Sequence, residues 1–466
     1  MIFASPIFIF AFLPLFLGAY YIVPMRWRSA LILLASYAFY GWWRVEYLIV
    51  LAGISAVAYG AGHAALVAQT ERARAWAVGV GVGAILCCLA YFKYTHFFVE
   101  SVGAVSAMFG GPAFATVHII LPIGISFLSF QSISYIIDVA RKDAPPANTI
   151  VDFLAFSALF PQLIAGPVLR YKDLAAQFVH RAHNLAIFAQ GVRRFVIGLA
   201  MKLLIADTVA PLADRMFALT APTLTEAWLG AAAFSIQLLF DFAGYSAMAI
   251  GLGLMIGFRF IENFDAPYTS RSITEFWRRW HISLSNWLRD YLYVPLGGNR
   301  QGAIKTYRNL MLTMVLGGFW HGANWTFVIW GAWHGAALAL ERLLGARKGR
   351  AVWPLGMGWA VTMLIVIIGW VMFRAASVGD AVRIYGGMIG LNGTALSPPM
   401  AYATQPIEYA ALILGGMIAV FGAHLRTRFV MWPARPLRAA MPIALLFLCV
   451  LVLNARTHSP FLYFQF

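Results

Sequence analysis

Acidic residues are scarce in this chain. Only 18 Asp and Glu stand against 34 Lys and Arg in 466 residues, and charged residues of either sign make up 11%. Soluble domains carry about 25%. The length would accommodate more than one soluble domain, but no polar stretch is long enough to form one. Cysteine is nearly absent too. Cys87, Cys88 and Cys449 all lie inside apolar runs. An adjacent pair is badly placed to bridge to itself, and three dispersed thiols make no zinc site, so they read as small core hydrophobes. A Walker A loop, a dinucleotide-binding glycine fingerprint, a metal motif and a serine nucleophile elbow are all missing. Their absence argues against an ATP-driven pump, a dehydrogenase and a hydrolase of the usual soluble kinds. There is no internal repeat, low-complexity tract or flexible interdomain linker.

What is abundant is apolar surface, at 61% hydrophobic residues. Runs of about 17–25 apolar residues cross a bilayer. Candidate spans are Ile7–Val23, Ala30–Trp43, Leu48–Val67, Ala75–Tyr91, Ile119–Val139, Leu185–Ile205 and Trp228–Phe258. Further candidates are Asn309–Leu316, Trp325–Leu340, Trp359–Phe373, Ile407–His424 and Met441–Leu453, and some of the shorter ones suit hairpins or half-spans. The chain is therefore expected to be an all-α polytopic membrane protein. The stretch from Ile2 to Val23 has no basic region before it and no small-residue cleavage site, so it reads as a retained first span with its N-terminus outside. The net charge of +16 would suggest nucleic acid in a soluble protein. In a membrane protein it reads as Arg-rich cytoplasmic loops facing anionic lipid, so membrane lipid is the expected partner and nucleic acid is not.

The positive-inside rule places Arg26, Arg28, Arg72, Arg74, Arg141 and Lys142 on the cytoplasmic side. The apolar segment Phe153–Val168 is broken by Pro161, Gly166 and Pro167 and is followed by more cations. A re-entrant segment buried in protein satisfies both facts. The cluster from Arg259 to Arg308 and the group Arg342, Arg347, Lys348 and Arg350 then fall inside. Asn309–Leu340 must enter and leave on one side, or cross twice. Gly317, Gly318 and Gly322 supply a break, with His321 at or near it.

Two histidines draw attention. His281 sits in the polar island Ser272–Tyr293, among Trp277, Arg278, Arg279, Trp280, Trp287 and Arg289. Glu275 and Arg279 are four apart, a helix-supporting pair. Asp290 lies about two and a half turns beyond His281, too far for a direct side-chain bond on one straight helix. An interfacial amphipathic helix, with Trp at headgroup depth and Arg snorkelling, explains the same island without chemistry. His321 lies in Gly317–Trp325, beside Asn324. A buried neutral imidazole is a ready base, and a core histidine bonded to a neighbouring helix is the plain alternative. Trp333-His334-Gly335 repeats the surroundings of His321. Thirteen residues rotate a helix by about 220°, so on one helix only one of the two faces His281, and its polar surroundings favour His321. Asp241 is a carboxylate deep in a long apolar run, fit to pair with an Arg of the re-entrant region, to orient a histidine, or to form a structural ion pair. Beyond lipid, the Arg cluster suits a cytoplasmic cofactor with several phosphates.

At these residues the chain resembles the membrane-bound O-acyltransferase (MBOAT) superfamily, and within it the alginate-type polysaccharide O-acetyltransferases. The motifs are Phe3–Phe8, Leu121–Phe127, Phe160–Pro167, Phe240–Ser246, Glu275–Tyr293, Pro295–Arg300, Gly317–Trp325 and Leu462–Phe466, so the likeness covers nearly the whole chain. One departure is Ala247, where members commonly carry Asp after Gly-Tyr-Ser. It puts a second carboxylate on that helix in doubt and leaves Asp241 and both histidines untouched.

The resemblance implies about 11–12 transmembrane or re-entrant helices, with cytoplasmic amphipathic helices around a central tunnel. It implies a single membrane domain over residues 1–466, with a catalytic core at about 115–345 and peripheral helices at 1–114 and 353–466. It assigns His321 as the catalytic histidine, a general base on an acceptor hydroxyl. It makes His281 the second active-site histidine, orienting the substrate or donating to the oxyanion. Asp241, Asp290 and Asn324 are supporting candidates. Arg278, Arg279, Arg289 and Arg300 are candidates for the phosphates of coenzyme A. No cofactor is expected to be tightly bound and no metal is expected; acetyl-CoA enters as the acyl-donor substrate. The implied setting is a bacterial inner membrane, the acceptor a polysaccharide reached through a periplasmic SGNH-type acetyltransferase. The rivals are D-alanyl transfer to teichoic acid on the same fold, and a solute transporter.

Overall fold

The computed structural model describes residues 1–112, 119–164, 166–345, 353–430 and 435–455. Ala165, Arg347, Lys348, Arg350 and the Leu462–Phe466 motif lie outside the described residues. Among the described residues every regular element is a helix and there is no strand. Five helices are long and apolar enough to cross a membrane: Val45–Val67, Glu71–Met108, Leu185–Ala218, Leu224–Met255 and Gly356–Arg374. Shorter apolar helices run over Phe8–Ile22, Pro406–Gly422 and Ala440–Ala455. The chain is an all-α, multi-pass membrane protein.

Each expected span contains a helix, and the differences lie at the ends. Ala75–Tyr91 belongs to the helix Glu71–Met108, whose 38 residues extend ~57 Å against a hydrocarbon core of about 30 Å. Thr70 starts it by accepting the Ala73 amide at 3.1 Å. Cys87 is exposed on this helix, contrary to the expected core position, whereas Cys449 is buried.

The chain divides into two compact units. One comprises Met1–Phe195 with Met248–Ile261, and the other Val196–Ala247 with Glu262–Phe466. In the first, Phe153–Val168 is no continuous helix. It forms the helix Ile150–Ser157 and a single helical turn at Phe160–Leu163, and residues 166–170 have no regular secondary structure. Phe153, Phe156, Leu159 and Phe160 are at most 1% exposed, as a broken backbone inside an apolar protein must be. In the same unit Lys172 pairs with the buried Asp138 at 2.9 Å.

The second unit holds both candidate histidines. Its centre is a hairpin of two helices, Ala303–His321 and Trp325–Leu343. Gly317 and Gly318 do not break the first helix. They let the second approach: a Cβ on Gly318 would lie 2.2 Å from the carbonyl oxygen of Phe327, and one on Gly331 would lie 2.4 Å from that of Met314. The chain turns at Gly322, leaving His321 as the last residue of the first helix. Asn324 starts the second, its Oδ1 accepting the Thr326 amide at 3.0 Å.

Candidate active site

His281 sits at the joint between two short helices, Ile273–Arg279 and Ile282–Leu288. Ser272 caps the first by accepting the Glu275 amide at 3.0 Å. Glu341, from the far end of the hairpin, accepts the amides of Ile273 at 3.1 Å and Thr274 at 2.9 Å. Three orphan donors of the first turn are thus satisfied, one of them locally and two from another helix. The expected Glu275–Arg279 ion pair is present at 2.8 Å.

At His281 the backbone is left-handed, with φ 44° and ψ 54°. Few residues other than glycine adopt this conformation, and it persists where neighbours over-determine it. Here the neighbour is the irregular segment from Glu262 to Asp265. Ile282 donates its amide to the Asn263 carbonyl at 3.0 Å, and Asp265 donates to the Arg279 carbonyl at 3.0 Å. The Asn263 side chain is fully buried, and its Oδ1 stands 3.1 Å from His281 Nδ1. The same oxygen accepts the Ser283 amide at 3.2 Å and the Ser283 hydroxyl at 2.8 Å. Burial pushes the His281 imidazole well below the ordinary histidine range, which keeps the ring neutral.

The His281 ring meets Phe242 edge-on at 4.7 Å. It lies 6.3 Å from the ring of His321, which is itself 5% exposed. The two sequence candidates are therefore brought together. A direct N–H···N bond would need centroids within about 5.3 Å, given nitrogens about 3 Å apart. One oxygen between the rings spans nitrogens about 4.6 Å apart, and the observed separation suits it. His321 is framed by Trp330 at 5.3 Å and Phe373 at 5.5 Å. Phe373 belongs to the helix Leu355–Arg374, which the sequence places among the peripheral helices.

A cavity of about 180 Å³ opens beside His321. Its walls are apolar, including Trp277, Leu288, Met314 and Trp330, and Gly317 leaves room along one side. Arg289 also lines it. The Arg289 side chain is 58% exposed, so the cavity joins an open cation to a buried imidazole.

The other expected site residues fall elsewhere. Asp290 pairs with Arg289 at 2.7 Å, not with His281. Asn324 is a helix cap, and its Nδ2 donates to the Ala376 carbonyl at 3.0 Å. Asp241 pairs with Lys202 at 2.9 Å, so its partner is a lysine and not an arginine of the re-entrant region. Its neighbour Phe242 is the residue that touches His281. Arg279 is committed to Glu275 and to the Asp265 carbonyl, 3.2 Å away. Arg278 and Arg300 are exposed and do not line the cavity. His334 lies on the second helix of the hairpin, so the single-helix rotation does not describe it. It is buried among Phe276, Trp277, Trp330 and Trp370.

Asn263, Ser283 and Lys202 were not singled out by the sequence. Asn263 stands in Glu262-Asn-Phe-Asp265, which matches no motif, and only the fold-back brings it to His281.

Comparison with known proteins identifies the family. The sequence profile of the membrane-bound O-acyltransferase family matches residues 147–378. A probable alginate O-acetylase of Pseudomonas putida is 50% identical over 100% of both chains. A peptidoglycan O-acetyltransferase of Helicobacter pylori is 37% identical over 85% of this chain and 81% of its own. A teichoic acid D-alanyltransferase of Streptococcus thermophilus is 30% identical over 44% of this chain and 53% of its own.

Proposed function

We propose a reaction for this chain on the premise that it belongs to the membrane-bound O-acyltransferase family and is an O-acyltransferase of a multi-pass membrane protein fold. The reaction is acetyl transfer from cytoplasmic acetyl-CoA to a hydroxyl, for O-acetylation of an alginate-like exopolysaccharide at a bacterial inner membrane. The observation that carries it is His321, whose ring lies 6.3 Å from that of His281 and which lines a cavity together with Arg289.

The narrow apolar cavity fits a thioester arm, and Arg289 suits a phosphate at its mouth. Arg278 and Arg300 are secondary candidates for the same anion; Arg279 is already engaged. The thioester carbonyl then comes to rest beside His321. The acceptor hydroxyl enters between the two imidazoles, one of which takes its proton as the oxygen attacks. His281, its Nδ1 bonded to Asn263, is placed to orient the hydroxyl or to polarise the developing oxyanion. Asp241 and Asn324 support the site at a distance, through the helices they hold.

The immediate acceptor in this proposal is a serine of a periplasmic SGNH-type acetyltransferase, which passes the group to sugar hydroxyls. Acetyl is favoured over D-alanyl because the full-length relatives are named O-acetylases, while the D-alanyltransferase covers less than half of this chain.

The test uses purified protein in nanodiscs with labelled acetyl-CoA, with and without the periplasmic partner. Thioester loss that requires His321, with label on the partner, supports the relay. Label on free oligosaccharide keeps the enzyme and removes the relay. A solute transporter would still move its cargo after His321→Ala, and absence of thioester use by wild type would favour that alternative.

A further inference from the structure

We infer that Arg28 and Arg181 form a binding site for a phosphate ester at the bilayer surface, and that its ligand is the headgroup of an anionic phospholipid. The site lies within the first compact unit, and the inference stands apart from the acyl-transfer reading.

Both arginines stand at the ends of helices. Arg28 opens the helix Arg28–Gly41, a short turn after the apolar helix Phe8–Ile22. Arg181 follows the helix Tyr171–Val179 and precedes the candidate span that begins at Leu185. Far apart in sequence, the two cations meet around one phenol and one imidazole. Arg28 Nη1 stands 3.2 Å from His183 Nε2, and that nitrogen stands 3.0 Å from the Tyr20 hydroxyl. Arg181 Nη1 donates to the same hydroxyl at 3.3 Å. Tyr20 donates in turn to the Ile256 carbonyl at 2.8 Å, which fixes the hydroxyl in place.

No carboxylate joins this group among the described residues. Arg28 otherwise bonds to the Val23 carbonyl and the Met25 sulfur, and Arg181 to the Gln177 carbonyl and the Ser29 hydroxyl. Arg74, Arg170 and Arg279, by contrast, each pair with an acid. Aromatic rings take the flat faces of the two guanidinium groups, Tyr20 at 4.8 Å from Arg28 and Phe258 at 4.7 Å from Arg181. The N–H edges are left to other partners. A guanidinium has five such donors, and Arg28 Nη2 uses neither of its own among the described residues. The field at the centre is positive. Burial, with the charges of Arg28 and Arg181, holds the His183 imidazole below the ordinary histidine range. Fixed, edge-on donors in a positive field match the oxygens of a phosphate.

The surroundings select the source of that phosphate. Ile22, Trp27 and Leu185 are exposed and neighbour the two cations along the chain. Tryptophan marks headgroup depth, and exposed aliphatic side chains beside it meet hydrocarbon. A ligand at this level offers an anion to the arginines and acyl chains to the apolar helix ends. Basic pockets between membrane helices take anionic headgroups in this way.

The test uses the full-length protein in detergent, titrated with phosphatidylglycerol, phosphatidylcholine or inorganic phosphate. Native mass spectrometry reads binding. Wild type is expected to bind phosphatidylglycerol in preference to phosphatidylcholine. Arg28→Gln and Arg181→Gln should each weaken phosphatidylglycerol binding about five- to tenfold and leave phosphatidylcholine unaffected. Arg72→Gln removes the same charge from an exposed position and should bind like wild type. A second measurement needs no arginine variant. The NMR signal lost in His183→Gln identifies the His183 ring, which faces Tyr20, Tyr21, Arg28 and Arg181. Phosphatidylglycerol should raise its pKa, because the phosphate offsets the two cations, and phosphatidylcholine should not. Equal binding of the two lipids by wild type, wild-type affinity in both arginine variants, or a His183 titration unmoved by phosphatidylglycerol overturns the inference. An equal loss in Arg72→Gln assigns the preference to net charge and removes the site. Displacement of the lipid by millimolar inorganic phosphate, with the same rise at His183, makes free phosphate the ligand and overturns the lipid assignment.

Discussion

Lys202 Nζ lies 2.9 Å from Asp241 Oδ1, and neither side chain is more than 3% exposed. Asp207 shares the same ammonium at 2.5 Å. The lysine is held between two carboxylates, one on its own helical run and one on the helix that presents Phe242 to His281.

Removing the cation is expected to do more harm than removing one anion. Lys202→Met leaves the buried Asp241 and the partly buried Asp207 without their shared cation, whereas Asp241→Asn leaves Lys202 paired with Asp207. Breaking a buried pair from one side costs about 3–5 kcal/mol. Thermal unfolding in detergent should rank Lys202→Met well below Asp241→Asn. Equal midpoints would mean that the triad adds little to stability.

Gly318 sets the spacing of the hairpin. In Gly318→Ala the new methyl meets a backbone carbonyl at 2.2 Å, so the helices must part. Overpacking of this kind costs ~1–3 kcal/mol, and His321 at the turn should lose activity with it. Gly60, with open space around its Cβ position, is the control. Gly60→Ala should leave both the unfolding midpoint and turnover near wild type.

Arg289 and Arg279 should separate kinetically. Arg289→Gln removes the cation that lines the cavity and is expected to raise KM for acetyl-CoA about tenfold, about 1.4 kcal/mol, with kcat little changed. Arg279→Gln breaks its bonds to Glu275 and Asp265 and should lower stability more than it changes KM. Initial-rate kinetics beside melting curves distinguish the two patterns; the reverse assignment would move the phosphate site away from Arg289.

Asn324 should behave as a cap. Asn324→Ala is expected to cost about 1 kcal/mol of stability, and Asn324→Asp or Asn324→Ser to recover most of it. Loss of turnover in Asn324→Ser, with stability intact, would instead give Asn324 a direct part in the chemistry.

The helices were legible where apolar runs are long. Leu48–Val67 matches its expected bounds. The end of Glu71–Met108 was hidden because the apolar run pauses at Lys93 while the helix continues through Tyr94 and Phe98. Tryptophan framing pointed to His281 and His321, and they do meet. The contacts that hold the pair come from distant positions. Asn263 lies 18 residues before His281 and reaches it only through the fold-back. Phe373 reaches His321 from a helix that the family resemblance places among the peripheral ones. His334 could not be placed by helical rotation, because Gly322 ends one helix before Asn324 begins the next. Asp241 announced a buried partner without naming it, since nothing in the apolar run around Lys202 ties that residue to a carboxylate on another helix.

Glu341 ties the hairpin that carries His321 to the helix that precedes His281. The segments bearing the two imidazoles are thus laced together at a residue that touches neither ring, so a substitution at Glu341 is felt by both at once.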